Sequence, residues 1–227
     1  MNKLLSILCL LIIASCSKEV SQDQLVERGY FVDQNDDQYS VFDAYNLNRL
    51  TYEINSRTPF SGMSIQYYEN GQWKDKTNYK DGKKEGLSQT YYSNGQVEYE
   101  RTYKGGELVH AKWYYEIGGR LASKTNYKDG KKEGPSESYY GNGSLNDKSF
   151  YKNGKLDGLQ KVYRIAEHRE IQIEFFGVFD EDYGLHTKRN YKDGKLDGLY
   201  EYSKPNGPWS KTCYKNDQKV AMSYCGK

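Results

Sequence analysis

Lys76–Gly86 reads KTNYKDGKKEG, and Lys124–Gly134 reads KTNYKDGKKEG again. A verbatim return of that length in a chain of 227 residues marks an internal repeat. Weaker copies lie between and beyond. The tyrosines that open the phrase stand at Tyr79, Tyr103, Tyr127 and Tyr151, each 24 residues after the last. The phrase returns at Tyr191 and, decayed, at Tyr214. A fixed period of roughly 20–50 residues signals stacked units, none of which buries its apolar face alone.

Each copy holds two turn signals. One is Asp81-Gly82, repeated as Asp129-Gly130, Asn153-Gly154 and Asp193-Gly194, with Gly105-Gly106 as a variant. The other is Asn70-Gly71, repeated as Asn94-Gly95, Asn142-Gly143 and Asn206-Gly207. Both dipeptides favour type I′ hairpin turns, which need positive φ at both central residues. Two turns per copy predict an all-β chain: an elongated, twisted, single-layer antiparallel β-meander of ~24-residue hairpin repeats. A two-residue turn at Asn94-Gly95 pairs Tyr92 with Val97, and its equivalents pair Tyr68 with Trp73 and Tyr140 with Leu145. Strand alternation then puts Tyr79, Gly86, Ser88, Thr90, Tyr92, Val97, Tyr99 and Tyr103 on one face. The other face receives Lys83, Glu85, Gln89, Glu98 and Glu100, with Leu87 and Tyr91 among them. The expectation is a one-sided sheet, with the Tyr79 ring lying over Gly86.

Composition agrees with a thin fold. Mean hydropathy is −0.98, yet aromatics reach 15%, chiefly 24 tyrosines. Disordered chains are poor in aromatics, and tyrosine combines a large apolar ring with a hydroxyl that stays wet. The formal charge of +2, with both signs interspersed, gives no electrostatic footprint for nucleic acid.

The amino terminus reads as an address. Met1–Ser15 carries Lys3, then the apolar run Leu4–Ile13, then small residues, which is the pattern of a secretory signal. Ile13-Ala14-Ser15-Cys16 resembles the lipobox of bacterial lipoproteins. That resemblance implies a lipid on Cys16, a membrane anchor and, with Ser17 next, the outer membrane of a diderm bacterium. The expected organisation is a signal peptide over 1–15, a lipidated tether over 16–24, an amino-terminal strand segment over 25–57 and a repeat array over 58–227. In the third of these segments Tyr30-Phe31-Val32 and Leu50-Thr51-Tyr52 look like strands. Cys213 and Cys225 would share an oxidising compartment, where they form a disulfide or remain two buried thiols.

Two places break the period. Tyr114–Gly119 lacks the Asn-Gly turn and shifts by a residue, which predicts a bulge. The interval from Tyr151 to Tyr191 is 40 residues, which predicts an extra hairpin around 164–186. There Ile171, Ile173 and Phe175 alternate, Asp180-Glu181-Asp182 reads as a turn, and Gly184-Leu185 is similar to Gly86-Leu87.

The copies Y-Y-x-N-G … Y-K-D-G-K-x-x-G, with Pro59-Phe60-Ser61-Gly62 as entry phrase, resemble MORN-type repeats over roughly Thr58 to Tyr224. The closer likeness is to the bacterial variant in YwqK-type antitoxin-like proteins. The resemblance implies a non-enzymatic scaffold for protein or membrane-surface interactions, and for the antitoxin-like variant a neutralised toxin as partner.

Chemical motifs are lacking. His110, His168 and His186 share no ligand-like spacing with cysteines or carboxylates, and no nucleophile elbow, zinc helix or P-loop occurs. Asp180–Asp182 lacks the alternation of a calcium loop. No cofactor and no metal are expected. The candidate binding face comprises Tyr68, Trp73, Tyr79, Tyr92, Tyr99, Tyr103, Tyr114, Tyr127, Tyr140 and Tyr151. Such a face is either simply the packed side of the sheet or a partly open surface for a protein partner or a glycan or choline ligand, and Trp113-Tyr114-Tyr115 resembles choline- or glucan-binding repeats. Those repeats are richer in tryptophan than this chain, which has three.

Overall fold

The computed structural model describes residues 18–28, 50–53, 56–165, 184–204 and 208–226. The signal peptide, Cys16, Tyr30–Val32, Ile171–Phe175, Asp180–Asp182 and the turn at Asn206-Gly207 lie outside them. Among the described residues the chain is all-β, with two short 3-10 turns and no α-helix. It divides into two compact units, one up to Gly95 together with Lys104–Gly106, the other Gln96–Tyr103 and Glu107 onward.

The amino-terminal unit contains β1 (Glu19–Ser21), β2 (Leu25–Arg28), β3 (Leu50–Glu53), β4 (Gly62–Tyr67), β5 (Trp73–Lys80) and β6 (Lys83–Tyr91). Its main sheet runs β1-β4-β5-β6, and β2 pairs with β3 apart from it. β1 pairs parallel to β4, with Val20 opposite Ser64. Residues 19–21 are therefore part of the sheet, and the tether expected over 16–24 is shorter than the sequence suggested. Phe60 is buried against Tyr79, with ring centroids 5.8 Å apart. Thr51 donates its N–H to the Gly82 carbonyl at 2.7 Å, so β3 covers the β5–β6 turn.

The carboxy-terminal unit is a hairpin succession. It holds β7 (Val97–Lys104), β8 (Glu107–Tyr114), β9 (Leu121–Lys128), β10 (Lys131–Tyr139), β11 (Leu145–Lys152), β12 (Lys155–Leu156), β13 (Gly158–Tyr163), β14 (Leu185–Lys192), β15 (Lys195–Tyr202), β16 (Ser210–Lys215) and β17 (Gln218–Val220). Neighbours in sequence are neighbours in the sheet, β12 and β13 both pairing with β11. At its end Cys213, itself buried, is disulfide-bonded to Cys225, with Cα atoms 6.0 Å apart. Closing a loop of that length contributes about 3 kcal/mol to a terminal strand otherwise prone to fray.

The two turn classes differ. At Asp81-Gly82, Asp129-Gly130, Asn153-Gly154 and Asp193-Gly194 both residues have positive φ, from 49° to 86°. These are type I′ turns, and Tyr79 faces Lys84 across the first. Asn216 and Asp217 form another such turn in the decayed copy. The Asn-Gly loops are not type I′. Only Gly71, Gly95 and Gly143 have positive φ there. Tyr68 N–H bonds the Gln72 carbonyl, and Gly71 N–H bonds the Tyr68 carbonyl. This is a three-residue loop, a type I turn closed by a left-handed glycine, which reconciles the turn with strand twist only by adding a bulge. The observed pairs are consequently Tyr67 with Trp73 and Tyr139 with Leu145, not Tyr68 with Trp73 or Tyr140 with Leu145. Beyond the bulge the expected register holds, with Gly62 opposite Tyr79.

Gly86 has a different role from the one its spacing suggested. Thr77 pairs with Ser88 but Tyr79 pairs with Lys84, so three residues of β6 oppose Asn78 alone. Gly86 sits in this bulge at φ 76°, and a Cβ there would meet nothing within 4 Å. No ring lies over it. Asn78 donates its side-chain amide to the Leu87 carbonyl at 2.7 Å and so satisfies the backbone that the bulge leaves open. Asn190 does the same for Leu199.

The two irregular copies follow from these rules. β8 contains no positive-φ residue and is one residue shorter than β6. The loop after it is one longer, with Tyr115 N–H bonded to the Arg120 carbonyl. The shift comes from a missing bulge rather than an added one. In the long interval Arg164 N–H bonds the Gly184 carbonyl, and Tyr163 pairs with Leu185 as Tyr139 does with Leu145. The insertion therefore replaces one Asn-Gly loop, and Leu185 corresponds to Leu145 rather than to Leu87.

Gly86→Ala is expected to cost about 1–2 kcal/mol from the left-handed backbone alone. Gly86→Asn should cost clearly less, because asparagine tolerates that region and the space above is empty. Denaturant midpoints for the two variants check this, and equal losses would contradict it.

Candidate interaction face

Strand alternation gives each unit two faces, and both carry aromatic rings. The face bearing Thr77 or Thr125 is lined at its centre by small hydroxyl residues. Ser64, Thr77 and Ser88 in one unit are buried, as are Thr125 and Ser149 in the other. Thr77 and Ser88 share a hydrogen bond of 2.8 Å, as do Thr125 and Ser136. Gln160 donates to Ser149 Oγ and to Asp147 Oδ2. Small side chains here let flanking tyrosines close over the strip, which is how a sheet with few apolar residues excludes water. Tyr79, Tyr99, Tyr103, Tyr127 and Tyr151 lie on this face by alternation. Tyr99 stacks on Trp113, with centroids 6.4 Å apart, and Arg101 lies 4.2 Å from the Tyr99 ring centroid. Burial and the charges of Asp147, Tyr127 and Tyr191 raise the Tyr151 hydroxyl above its ordinary pKa.

The opposite face alternates cations, acids and rings. In the amino-terminal unit Lys76 lies over the Trp73 ring, Trp73 sits 5.8 Å from Tyr91, and Tyr91 donates to Gln89. Burial lowers the Lys76 pKa, against the charge of Glu19. Tyr67, Trp73 and Leu87 remain 53%, 47% and 42% exposed. In the carboxy-terminal unit Glu100 accepts from Lys112 at 3.2 Å and from Tyr114 at 2.8 Å. Burial and that carboxylate together push the Tyr114 pKa up to about 12. Glu137 bonds Lys124 at 2.7 Å and Tyr139 at 2.5 Å, and lies 3.6 Å from Lys148. Burial alone would raise the Glu137 pKa, but the hydrogen bonds of Lys124 and Tyr139 outweigh it and hold the carboxyl below its ordinary value.

The ten aromatic residues expected on one face are thus divided. Five sit on the hydroxyl face, and Trp73 and Tyr114 sit on the lysine face. Tyr68 and Tyr140 stand at the loop edge, where their hydroxyls donate to the carbonyls of Tyr91 and Tyr163, at 2.6 and 2.8 Å. Tyr92 occupies the same place in its own copy. Tyr115 donates likewise to Tyr139. The one-sided sheet is corrected to a two-sided one, and the physical reason is the loop bulge, which turns Tyr67 and Trp73 away from the tyrosines further along the strands. Sequence reading placed Tyr91 on the charged face, where it is buried, but missed Tyr139 and Tyr163 as rings of the same face. For Tyr139 the signal was the Tyr139-Tyr140 doublet, since adjacent strand residues point opposite ways.

It also missed the residue before each bulge glycine. Glu85 Oε2 accepts the Gly105 N–H at 2.6 Å, Glu133 accepts that of Asn153 at 2.7 Å, and Asp157 accepts that of Asp193 at 3.1 Å. Ser61 does the same for Asp81 at 2.8 Å. Each of these copies caps the turn of the next, whereas the copy of β8 has no bulge glycine. Among the described residues no group of three or more His, Cys, Asp or Glu side chains is placed to hold a metal. His110 instead bonds Asn126, and His186 bonds Ser203.

Because the folded Glu137 carboxyl lies below its unfolded value, its stabilisation is present above the unfolded pKa and is lost as pH falls through the folded one. Glu137→Gln should therefore cost about 1–2 kcal/mol at neutral pH. The difference from wild type should shrink below about pH 4. Thermal melts across pH check this, and a loss that persists in acid would contradict it.

Residues 61–81, 84–104 and 132–153 match the family model described as a MORN repeat variant. Each matched segment begins at or just before a capping residue, Ser61, Glu85 or Glu133, and runs to the turn it caps. No curated protein matches the chain. Over these three segments the chain is similar to MORN-type repeat proteins.

Proposed function

We propose that the chain is a lipid-anchored, non-enzymatic repeat scaffold of the bacterial envelope that presents the exposed rings and lysines of its sheet to a protein partner. The observation that carries this reading is how few residues separate Cys16 from the sheet in sequence. The Lys18 carbonyl, two residues after the cysteine in sequence, already accepts the Met63 N–H at 2.7 Å. Two extended residues span about 7 Å. A diacylated Cys16 would hold the edge strand of the amino-terminal unit close above the headgroups, and more than one acyl chain makes such anchoring stable. In a diderm bacterium, Ser17 after the lipidated position favours the outer membrane.

Trp73 supplies the contact surface in this reading. Half-exposed indole beside Tyr67, with a lysine over its ring, is the kind of amphipathic platform on which protein partners settle. A glycan reading draws on the same rings, but it asks for several of them together on one open surface, whereas the tyrosines here are divided between faces.

The test has two arms. Metabolic labelling with a palmitate analogue should mark the wild type and not Cys16→Ala, and fractionation should move that variant out of the membrane. Unlabelled wild-type protein would remove the anchor. A photo-crosslinking residue at position 73 should give a discrete protein adduct in cells. Adducts with lipid or glycan alone would contradict a protein partner at that surface.

A further inference from the structure

Three successive turns of the carboxy-terminal unit are each bracketed by lysines: Lys128 and Lys131, Lys152 and Lys155, Lys192 and Lys195. The turns are stacked by direct hydrogen bonds. Gly154 N–H meets the Lys132 carbonyl at 2.9 Å, and Gly194 N–H meets the Leu156 carbonyl at 2.8 Å. The lysines after the turns are not simply waving in solvent. A Cβ on Gly154 would lie 3.6 Å from Lys131 Cβ, and one on Gly194 would lie 3.5 Å from Lys155 Cβ. Each of these stems therefore runs over the glycine of the next turn, which orders the side chain along the row. Two acids of this edge face the other way, while Asp129 and Asp193 stand exposed in the turns themselves. Glu133 and Asp157 direct their carboxylates at the backbone N–H groups of Asn153 and Asp193. The edge thus presents ammonium groups outward while part of its negative charge is turned to the backbone.

We infer that this turn edge binds a linear polyanion, namely an acidic polysaccharide bearing carboxylates at regular intervals. Successive turns are two strands apart, which sets a cation repeat of about 10 Å. Each strand rotates by roughly 20–25° against its neighbour, so the three turn tips lie on a winding line. A flexible chain can follow that line and meet every turn, whereas a flat anionic bilayer would meet one or two tips only. The inference is independent of the anchor and of the rings at position 73, and it uses the turn edge rather than either face of the sheet.

The full-length chain in detergent is measured against polygalacturonate, uncharged dextran, and vesicles of phosphatidylglycerol in phosphatidylcholine. The wild type should bind polygalacturonate and not dextran, and the binding should weaken as salt rises toward about 0.5 M. The triple variant Lys131→Gln, Lys155→Gln, Lys195→Gln should lose about tenfold in affinity with its thermal midpoint unchanged. A charge-matched control, Arg57→Gln with Lys74→Gln and Lys204→Gln, should stay within about twofold of wild type. Equal losses in both triples, unchanged binding in the turn-edge triple, binding to vesicles but not to polygalacturonate, or binding to neither would each overturn the inference.

Discussion

In a two-residue hairpin turn the N–H groups of both central residues point away from their own hairpin, and a thin sheet has little interior in which to satisfy them. This chain satisfies them from the preceding copy. The first N–H goes to the side chain before a bulge glycine, as Gly105 does to Glu85 and Asn153 to Glu133. The second goes to a backbone carbonyl of the preceding copy, as Gly106 does to Lys84 and Gly154 to Lys132. Charge-assisted bonds of this kind are about twice as strong as neutral ones. The bulge and the cap belong together, because the left-handed glycine lets the chain leave the ladder where the acid must reach the next turn. At the far edge of the sheet the tyrosine hydroxyls of Tyr68, Tyr115 and Tyr140 make the corresponding link to the next copy.

Stability in such a sheet lies between copies rather than inside them. Among the described residues few large apolar side chains are fully buried, and the central strip of one face is serine and threonine. What closes the structure is a pair of polar latches per copy, together with ring contacts and lysine–carboxylate rows along the faces. The ends need separate treatment. β3 and Phe60 cover the first turn, and the Cys213–Cys225 bond with the last short strand closes the other end. The same arrangement serves interaction, since a backbone held by edge latches leaves the residues of both faces free to vary. Trp73 and Leu87 are exposed on the lysine face without weakening the latches.

Much of this was legible in the sequence. The 24-residue period with two turns per copy indicated a meander of successive hairpins, and Asp-Gly indicated the type I′ turns, because both rest on local backbone chemistry. The Asn-Gly loops were read as the same turn because the dipeptide is shared. The extra loop residue, and with it the bulge that moves Trp73, depends on how tightly the flanking strands twist. Gly86 was legible as a recurring glycine but not as a bulge, since an empty space and a covering ring leave the same trace in sequence. Glu85 and Glu133 looked like surface charges because their partners lie some 20 residues away in the next copy. The parallel strand at Glu19–Ser21 had no local signal at all, being three polar-flanked residues recruited by the open edge of β4.

The central claim is that the copies with a bulge glycine cap the next turn through its backbone N–H groups. Native-state hydrogen exchange read amide by amide tests it most directly, at Gly105, Asn153, Asp193 and at Asn216, whose N–H faces Asp197 Oδ2 at 3.4 Å. These sit at exposed turn tips, so in isolated hairpins their amides would exchange at open-loop rates. The account predicts protection well above that rate, comparable to the neighbouring strand amides. Exchange at open-loop rates in the folded protein would show that the caps do not hold, and that the copies are joined by the strand ladder alone.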